Sequence, residues 1–105
     1  MWEIKGMRII ARKTLKDFWE LPNRGDAEQP LKSWYAEVNA AEWGTPAHIK
    51  QQFRSASILK NNRVVFNIAG NKYRLIVWVS KDYTVCLIRF IGTHKEYDKI
   101  DAETI

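Results

Sequence analysis

Residues 63–91, RVVFNIAGNKYRLIVWVSKDYTVCLIRFI, decide the fold of this 105-residue chain. Three runs rich in Val, Ile, Phe, Tyr and Trp predict strands at 63–68, 72–80 and 84–91. The short segments 69–71 and 81–83 separate these runs and fit the turns of antiparallel hairpins. This part of the chain therefore predicts a three-stranded antiparallel sheet.

The residues before this sheet are predicted to form one short strand and two helices. Residues 7–11 read as the strand, and residues 14–21 as a short helix. A longer helix is expected to begin at Ala27 or Pro30 and to run to Glu42. Its apolar stripe recurs at i, i+3, i+4 and i+7 and consists of Leu31, Trp34, Tyr35 and Val38.

Three local signals set further boundaries. Gly44 is expected to end the long helix, and Thr45-Pro46 predicts an N-cap followed by proline at the first position of another short helix. Thr93 and Glu96 match the capping-box pattern, which predicts a short helix after the last strand. Helices on one face of a small antiparallel sheet make an α+β fold.

Length and composition predict one domain over residues 7–105, preceded by an N-terminal extension at residues 1–6. No apolar run reaches the roughly 18 residues that a membrane span needs, and the N-terminus lacks the apolar core of a signal peptide. A cytoplasmic protein is therefore expected. Cys86 is the only cysteine, so it forms no intramolecular disulfide, and its apolar context predicts a buried side chain. No cluster of metal-ligand residues is present in the sequence, so we expect no metal and no cofactor.

Positive charge is concentrated in one part of the chain. The net charge is +5, and no acidic residue lies between Glu42 and Asp82. The basic residues of that stretch are Lys50, Arg54, Lys60, Arg63, Lys72, Arg74 and Lys81. A basic surface on a sheet predicts a polyanionic partner such as nucleic acid. The alternative is that the charge only keeps the protein soluble.

Strand alternation predicts which side chains share a face. If the last hairpin centres on Lys81-Asp82, Arg74 lies directly opposite Arg89. With the first hairpin centred near Gly70, Asn67 lies close to Lys72 or Arg74 on the same face. The expected core face is 64, 66, 68, 73, 75, 77, 79, 84, 86, 88 and 90, and the expected polar face is 63, 65, 67, 72, 74, 76, 78, 87, 89 and 91. Opposed arginines destabilise a sheet unless an anion lies between them. Alternatively, Asp98 or Asp101 neutralises them.

The capping-box helix places His94 and Tyr97 three residues apart, hence on one helical face. A helix N-terminus disfavours added positive charge, so His94 is expected to be neutral near pH 7. Imidazole, phenol and arginines suffice for attack of a ribose 2′-OH on its own phosphodiester without a metal. The alternative is that His94 is a structural or simply exposed histidine.

Two motifs, VVFNIAGNKYRL (64–75) and IRFIGTHKEYD (88–98), resemble the HigB family of bacterial type II toxins, and RIIA (8–11), LKDFW (15–19) and WY (34–35) are similar too. The resemblance covers nearly all of residues 7–105. It implies the RelE/ParE superfamily fold, in which helices pack on a curved antiparallel sheet. It also implies a ribosome-dependent mRNA interferase, a HigA-like antitoxin with a helix-turn-helix domain, and operator DNA contact only through that antitoxin.

By position, the resemblance implies that Arg74 and Arg89 stabilise the phosphate and that His94 and Tyr97 act in proton transfer or base stacking. The residues expected to contact RNA are Arg63, Asn67, Lys72, Lys60 and Lys95. Two other functions remain open at this point. One is a ParE-like DNA gyrase poison on the same fold, and the other is a non-catalytic module that binds RNA or the ribosome.

Overall fold

All four predicted strands are present, and one further strand of two residues extends the same sheet. A computed structural model describes residues 6–105, so the predicted extension at 1–6 lies, except for Gly6, outside the described residues. The elements are β1 (Arg8–Ile10), α1 (Arg12–Trp19), a 3-10 helix (Gly25–Ala27), α2 (Glu28–Asn39), α3 (Pro46–Gln52), β2 (Ser57–Ile58), β3 (Arg63–Ile68), β4 (Tyr73–Val79), β5 (Val85–Thr93) and α4 (His94–Tyr97).

The five strands form one sheet in the order β1-β5-β4-β3-β2. β2, β3, β4 and β5 pair antiparallel, as the hairpin turns predict. β1 instead pairs parallel with β5, with Ile9 beside Cys86. The α+β class and the antiparallel pairing of the three strands within residues 63–93 are confirmed, and the sheet as a whole is mixed because the N-terminal strand joins the edge of β5 in parallel.

The helix boundaries differ modestly from the predicted ones. α2 ends at Asn39 with Ala40 as its C-cap, so the prediction that Gly44 ends this helix is wrong. The segment between them leaves the helix and buries Trp43, whose indole Nε1 donates to Gln52 Oε1 at 3.0 Å. α3 begins as predicted, because the Thr45 hydroxyl accepts from the backbone N–H of His48.

The helices pack on one face of the sheet and form the main core with it. The predicted stripe of α2 is buried, since Leu31 and Val38 are 0% exposed. Trp34 meets Phe66 edge-on at a centroid distance of 5.5 Å, and Phe53 meets the same ring at 5.0 Å. Each such buried side chain contributes roughly 1.5–3 kcal/mol of hydrophobic stabilisation.

The opposite face of the sheet is also partly covered. Val65 and Ile76 lie on this face by strand alternation, yet they are 3% and 0% exposed. The chain that follows α4 crosses here, and the amide of Asn61 donates to the Glu103 carbonyl oxygen at 3.2 Å. Residues 101–105 are called the strap below. Within residues 6–105, no helix is long and apolar enough to cross a membrane.

Candidate active site

The register between β4 and β5 separates the two arginines that the sequence pairs. Arg74 lies opposite Gly92, and a bulge interrupts the ladder between Ile76 and Val77. Because Ile76 pairs with Phe90 and Val77 with Ile88, Arg89 is the extra residue and has no partner on β4. The predicted opposition of Arg74 and Arg89 is therefore wrong.

The bulge also corrects the predicted faces beyond it. An extra residue reverses strand alternation, so Phe90 and Ile91 exchange faces relative to the prediction. Ile91 pairs with Leu75 and packs against the main core. Phe90 instead shares the polar face with Arg74.

Arg74 is anchored by one edge of its guanidinium. Nη1 donates to the carbonyl oxygens of Asn71, at 2.9 Å, and Tyr73, at 3.4 Å. The guanidinium carbon lies 6.0 Å from the centroid of the Tyr97 ring, a cation–π distance. Asn67 lies directly opposite Arg74 on β3, so of the two expected neighbours, Lys72 and Arg74, it pairs with Arg74. Since a guanidinium has five N–H donors, three of them, on Nε and Nη2, remain for a substrate among the contacts of the described residues.

Glycine is required at position 92, opposite Arg74. A Cβ atom at this position would lie 2.6 Å from Cζ of Phe90 and 3.0 Å from Oε1 of Glu96. A side chain here would thus displace both neighbours. The Phe90 ring and the Glu96 carboxylate therefore pack directly against the backbone of Gly92.

The capping box of α4 is present as predicted. The Thr93 hydroxyl accepts from the Glu96 backbone N–H at 3.2 Å, and Glu96 Oε1 accepts from the Thr93 N–H at 2.8 Å. The Thr93 backbone N–H holds the pKa of Glu96 below its usual value, so the cap is ionised at neutral pH. This turn sets the His94 and Tyr97 rings edge-on, with centroids 6.5 Å apart.

His94 is paired with a carboxylate. Its Nδ1 lies 3.1 Å from Oδ2 of Asp98, one helical turn later. Because a carboxylate only accepts hydrogen bonds, Nδ1 carries a hydrogen and points it at Asp98, so Nε2 is the ring nitrogen that does not contact this carboxylate. Asp98 therefore pairs with His94, and among residues 6–105 no Asp or Glu side chain forms an ion pair with Arg74 or Arg89. The alternative in which Asp98 or Asp101 neutralises these arginines is not borne out.

Arg63 and Arg89 meet at a different place on the polar face. Arg63 donates to the backbone oxygen of Ile105 from Nε at 3.0 Å and from Nη2 at 2.7 Å. Arg89 donates to the same oxygen from Nε at 3.2 Å. Gly92, the partner of Arg74, lies three residues further along β5, which corresponds to about 10 Å. Arg89 thus belongs with Arg63 rather than with the Arg74–Tyr97–His94 group.

Lys72 is held by an acidic residue from the 3-10 helix. Its ammonium forms an ion pair with Asp26, whose other oxygen accepts from the Tyr73 hydroxyl at 2.5 Å. The hydrogen bonds from Lys72 and then Tyr73 lower the pKa of Asp26, and the carboxylate raises the pKa of Lys72. The remaining predicted contacts, Lys60 and Lys95, are exposed and form no ion pair with the described residues.

Comparison with known proteins identifies the family. The profile of the HigB toxins, described as RelE-like toxic components of a toxin–antitoxin system, matches residues 27–100, a span that includes Arg74, His94 and Tyr97. The chain belongs to the HigB family. It is 32% identical over 98 residues to the mRNA interferase toxin HigB of Escherichia coli (strain K12), which covers 91% of this chain and 92% of that protein. The mRNA interferase HigB proteins of Escherichia coli O157:H7 and Shigella flexneri match to the same extent.

Two acidic residues near the predicted site of this HigB-family chain were not predicted in their observed roles. Asp98 could have been found from its spacing, because residues i and i+4 of a helix are neighbours and His94 lies four positions earlier. Asp26 lies 46 residues before Lys72 in the sequence, and no local pattern connects them. Only the packing of the 3-10 helix against the β3–β4 turn brings this pair together.

Proposed function

We propose that this HigB-family protein is an mRNA interferase toxin, a ribosome-dependent endoribonuclease that cleaves translated mRNA and so stops translation and growth. The names of its relatives support this activity, since they are called mRNA interferases. The observation that carries the proposal is the Arg74–Tyr97–His94 group, in which an anchored guanidinium lies against a phenol beside an imidazole. A gyrase poison would not require acid–base groups in this arrangement.

In the proposed reaction, Nε2 of His94 takes the proton from a ribose 2′-OH, and the 2′-oxygen attacks the adjacent phosphorus. The new P–O2′ bond forms as the P–O5′ bond breaks, and the hydroxyl of Tyr97 donates a proton to the leaving 5′-oxygen. The products are a 2′,3′-cyclic phosphate and a 5′-hydroxyl. The three open N–H groups of Arg74 stabilise the charge that develops on the phosphoryl oxygens.

This mechanism requires no metal, and the chemistry of the new ends tests that. Attack by the 2′-OH leaves a cyclic phosphate, which must be opened before the 3′ end can be extended, and a 5′-hydroxyl that a kinase can label. We expect both ends on the cleaved mRNA. Ends with a 3′-hydroxyl and a 5′-phosphate would instead indicate attack by water and would overturn the proposed chemistry.

The activity itself is tested by primer extension on transcripts from cells after brief induction of the toxin. We expect new 5′ ends inside reading frames, and we expect them to disappear on a matched reporter whose ribosome-binding site is removed. Cleavage that persists on the untranslated reporter would refute ribosome dependence. Intact transcripts together with double-strand DNA breaks would favour gyrase poisoning, and intact transcripts with bound toxin would favour a non-catalytic module.

As a toxin of a toxin–antitoxin system, the protein is expected to act in the cytoplasm and to be neutralised there by its antitoxin. We propose a HigA-like antitoxin that carries the helix-turn-helix domain, so that operator DNA is contacted only through it. The electrophoretic mobility of operator DNA tests whether the antitoxin alone makes the DNA contact. The toxin alone should leave the DNA unshifted, and the complex should shift it.

A further inference from the structure

Three N–H groups from two arginines converge on one oxygen atom of the polar face. Nε and Nη2 of Arg63 and Nε of Arg89 all donate to the backbone oxygen of Ile105, at distances between 2.7 and 3.2 Å. Convergent N–H donors from two guanidinium groups are the arrangement that binds an oxyanion such as a phosphate.

The position of this oxygen follows from the strand order. Arg63 lies on β3 and Arg89 on β5, and β4 runs between these two strands. The oxygen they share therefore lies over β4, where Ile76 is 0% exposed beneath it. The same face carries Arg74 at the other end of β4, so an RNA strand that follows β4 would pass both places.

No acidic side chain balances the two arginines at this point. Among residues 6–105, neither Arg63 nor Arg89 forms an ion pair with an Asp or Glu side chain. Arginine forms bidentate, charge-assisted contacts with phosphate oxygens, so this pair of side chains is suited to bind a phosphate.

The strap that supplies the oxygen is a self-contained turn. The backbone N–H groups of Thr104 and Ile105 donate to the Asp101 carbonyl at 3.2 and 3.1 Å, and the Glu103 N–H donates to the Asp101 carboxylate at 3.0 Å. These bonds would move with the strap if it left the sheet. Besides the two arginines, the side-chain hydrogen bond that ties it to the body of the protein comes from Asn61.

We propose that Arg63 and Arg89 form a second phosphate subsite, and that the strap occupies it until a phosphate of the RNA strand displaces it. This inference rests on the proposed function, in which the Arg74 group cleaves the same strand. The subsite holds a phosphate that neighbours the scissile one. The strap is thus a competitor for substrate, and loosening it raises the affinity for RNA.

Two adjacent asparagines provide a matched test. Asn61 and Asn62 both have φ of 60°, so glycine fits either position without strain, but Asn61 holds the strap and Asn62 does not. Binding of a fluorescent all-2′-deoxy oligonucleotide, which lacks the attacking hydroxyl, is measured by anisotropy. We expect Asn61→Gly to bind about fivefold more tightly than wild type, the effect of one hydrogen bond, and Asn62→Gly to bind as wild type.

Removal of an arginine tests the subsite itself. For Arg89→Ala we expect weaker binding and a loss of about 0.7 from the slope of log affinity against log salt, the value for one phosphate contact to a single strand. A chain ending at Ile100 should bind at least as tightly as Asn61→Gly, with thermal melting as the folding control. Equal affinities for Asn61→Gly, Asn62→Gly and wild type would overturn the competition, and an unchanged salt slope for Arg89→Ala would overturn the subsite.

The outcome also separates this inference from the proposed function. If wild type cleaves translated mRNA but the two glycine variants bind alike, the strap proposal fails and the interferase stands. If the glycine variants differ in affinity but wild type leaves translated mRNA intact, the phosphate subsite stands and the interferase fails.

Discussion

Replacement of Arg74 by lysine should separate the charge of this side chain from its shape. Nη1 of the guanidinium uses both hydrogens on the carbonyl oxygens of Asn71 and Tyr73, while Nε and Nη2 remain open. A lysine ammonium is a single point of charge with no second edge. The ammonium group would either donate to the carbonyl oxygens of Asn71 and Tyr73 or reach the phosphate, but not both. Arg74→Lys therefore keeps the positive charge and loses the simultaneous contact with the carbonyl oxygens and the phosphate.

The expected magnitude follows from the donors that are lost. Removal of one transition-state donor costs about 2.7–4 kcal/mol, or roughly 10²–10³ in rate. We expect Arg74→Lys to lose about 10² and Arg74→Ala about two- to fivefold more, because alanine also loses the contact with Tyr97, which at an exposed site is worth about 0.5–1 kcal/mol. Both variants should remain folded, since the side chain is only half-buried.

The assay is single-turnover cleavage of mRNA on a programmed ribosome at saturating toxin, which reports the chemical step. Arg54→Lys and Arg54→Ala are the matched controls, since Arg54 is an exposed arginine of the same basic stretch, just after α3. Both control variants should cleave at the wild-type rate. If Arg74→Ala cleaves within about threefold of wild type while folded, the guanidinium does not stabilise the transition state and the proposed site is wrong. If Arg74→Lys alone cleaves within about threefold of the wild-type rate, the positive charge of the side chain is sufficient and the shape of the guanidinium is not required.

Three further predictions concern protonation. Burial raises the pKa of the Cys86 thiol to about 12, so native protein should resist thiol reagents at pH 8 and react once unfolded, whereas rapid native labelling would contradict the packing of β5. The pKa of Asp26 is held below its ordinary 3.8, so the carboxylate stabilises the folded state. The difference in free energy of unfolding between wild type and Asp26→Asn should therefore be largest above pH 3.8 and should decrease as the pH falls below that value. Urea unfolding at several pH values measures this difference. The ¹⁵N chemical shifts of the histidine ring nitrogens should show that His94 carries its hydrogen on Nδ1, which faces Asp98. His48 should carry its hydrogen on Nε2, because its Nδ1 accepts from a backbone N–H at 2.8 Å. Asp98→Ala should change the ring nitrogen shifts of His94 and leave those of His48 as they are.

The sequence predicts those features that depend on local patterns. Alternation and turn residues locate β3, β4 and β5 to within a residue or two, and the N-cap at Thr45 and the capping box at Thr93 are where the pattern places them. The expectation that Asn67 lies close to Lys72 or Arg74 is also correct, because the first hairpin has no irregularity and pairs Asn67 with Arg74. Local chemistry thus determines these elements.

The remaining features depend on the tertiary fold. The bulge at Arg89 adds one residue to β5, and no residue type in IRFIG marks which position is left unpaired. This single residue moves Arg89 away from Arg74 and exchanges the faces of Phe90 and Ile91. The parallel edge strand and the Asp26–Lys72 ion pair join distant parts of the chain, so neither is visible in any short window.

The central position of β4 has a consequence for motion. β4 has a hydrogen-bonded strand on each side, and its residues Leu75, Ile76 and Val77 are 0% exposed although they point to alternate faces. Its amide protons should therefore exchange with deuterium only when the whole domain unfolds. α4, a single exposed turn, should exchange through local opening. The backbone of Arg74 is thus the rigid part of the proposed site, and the turn with His94 and Tyr97 is the part that can move when RNA binds.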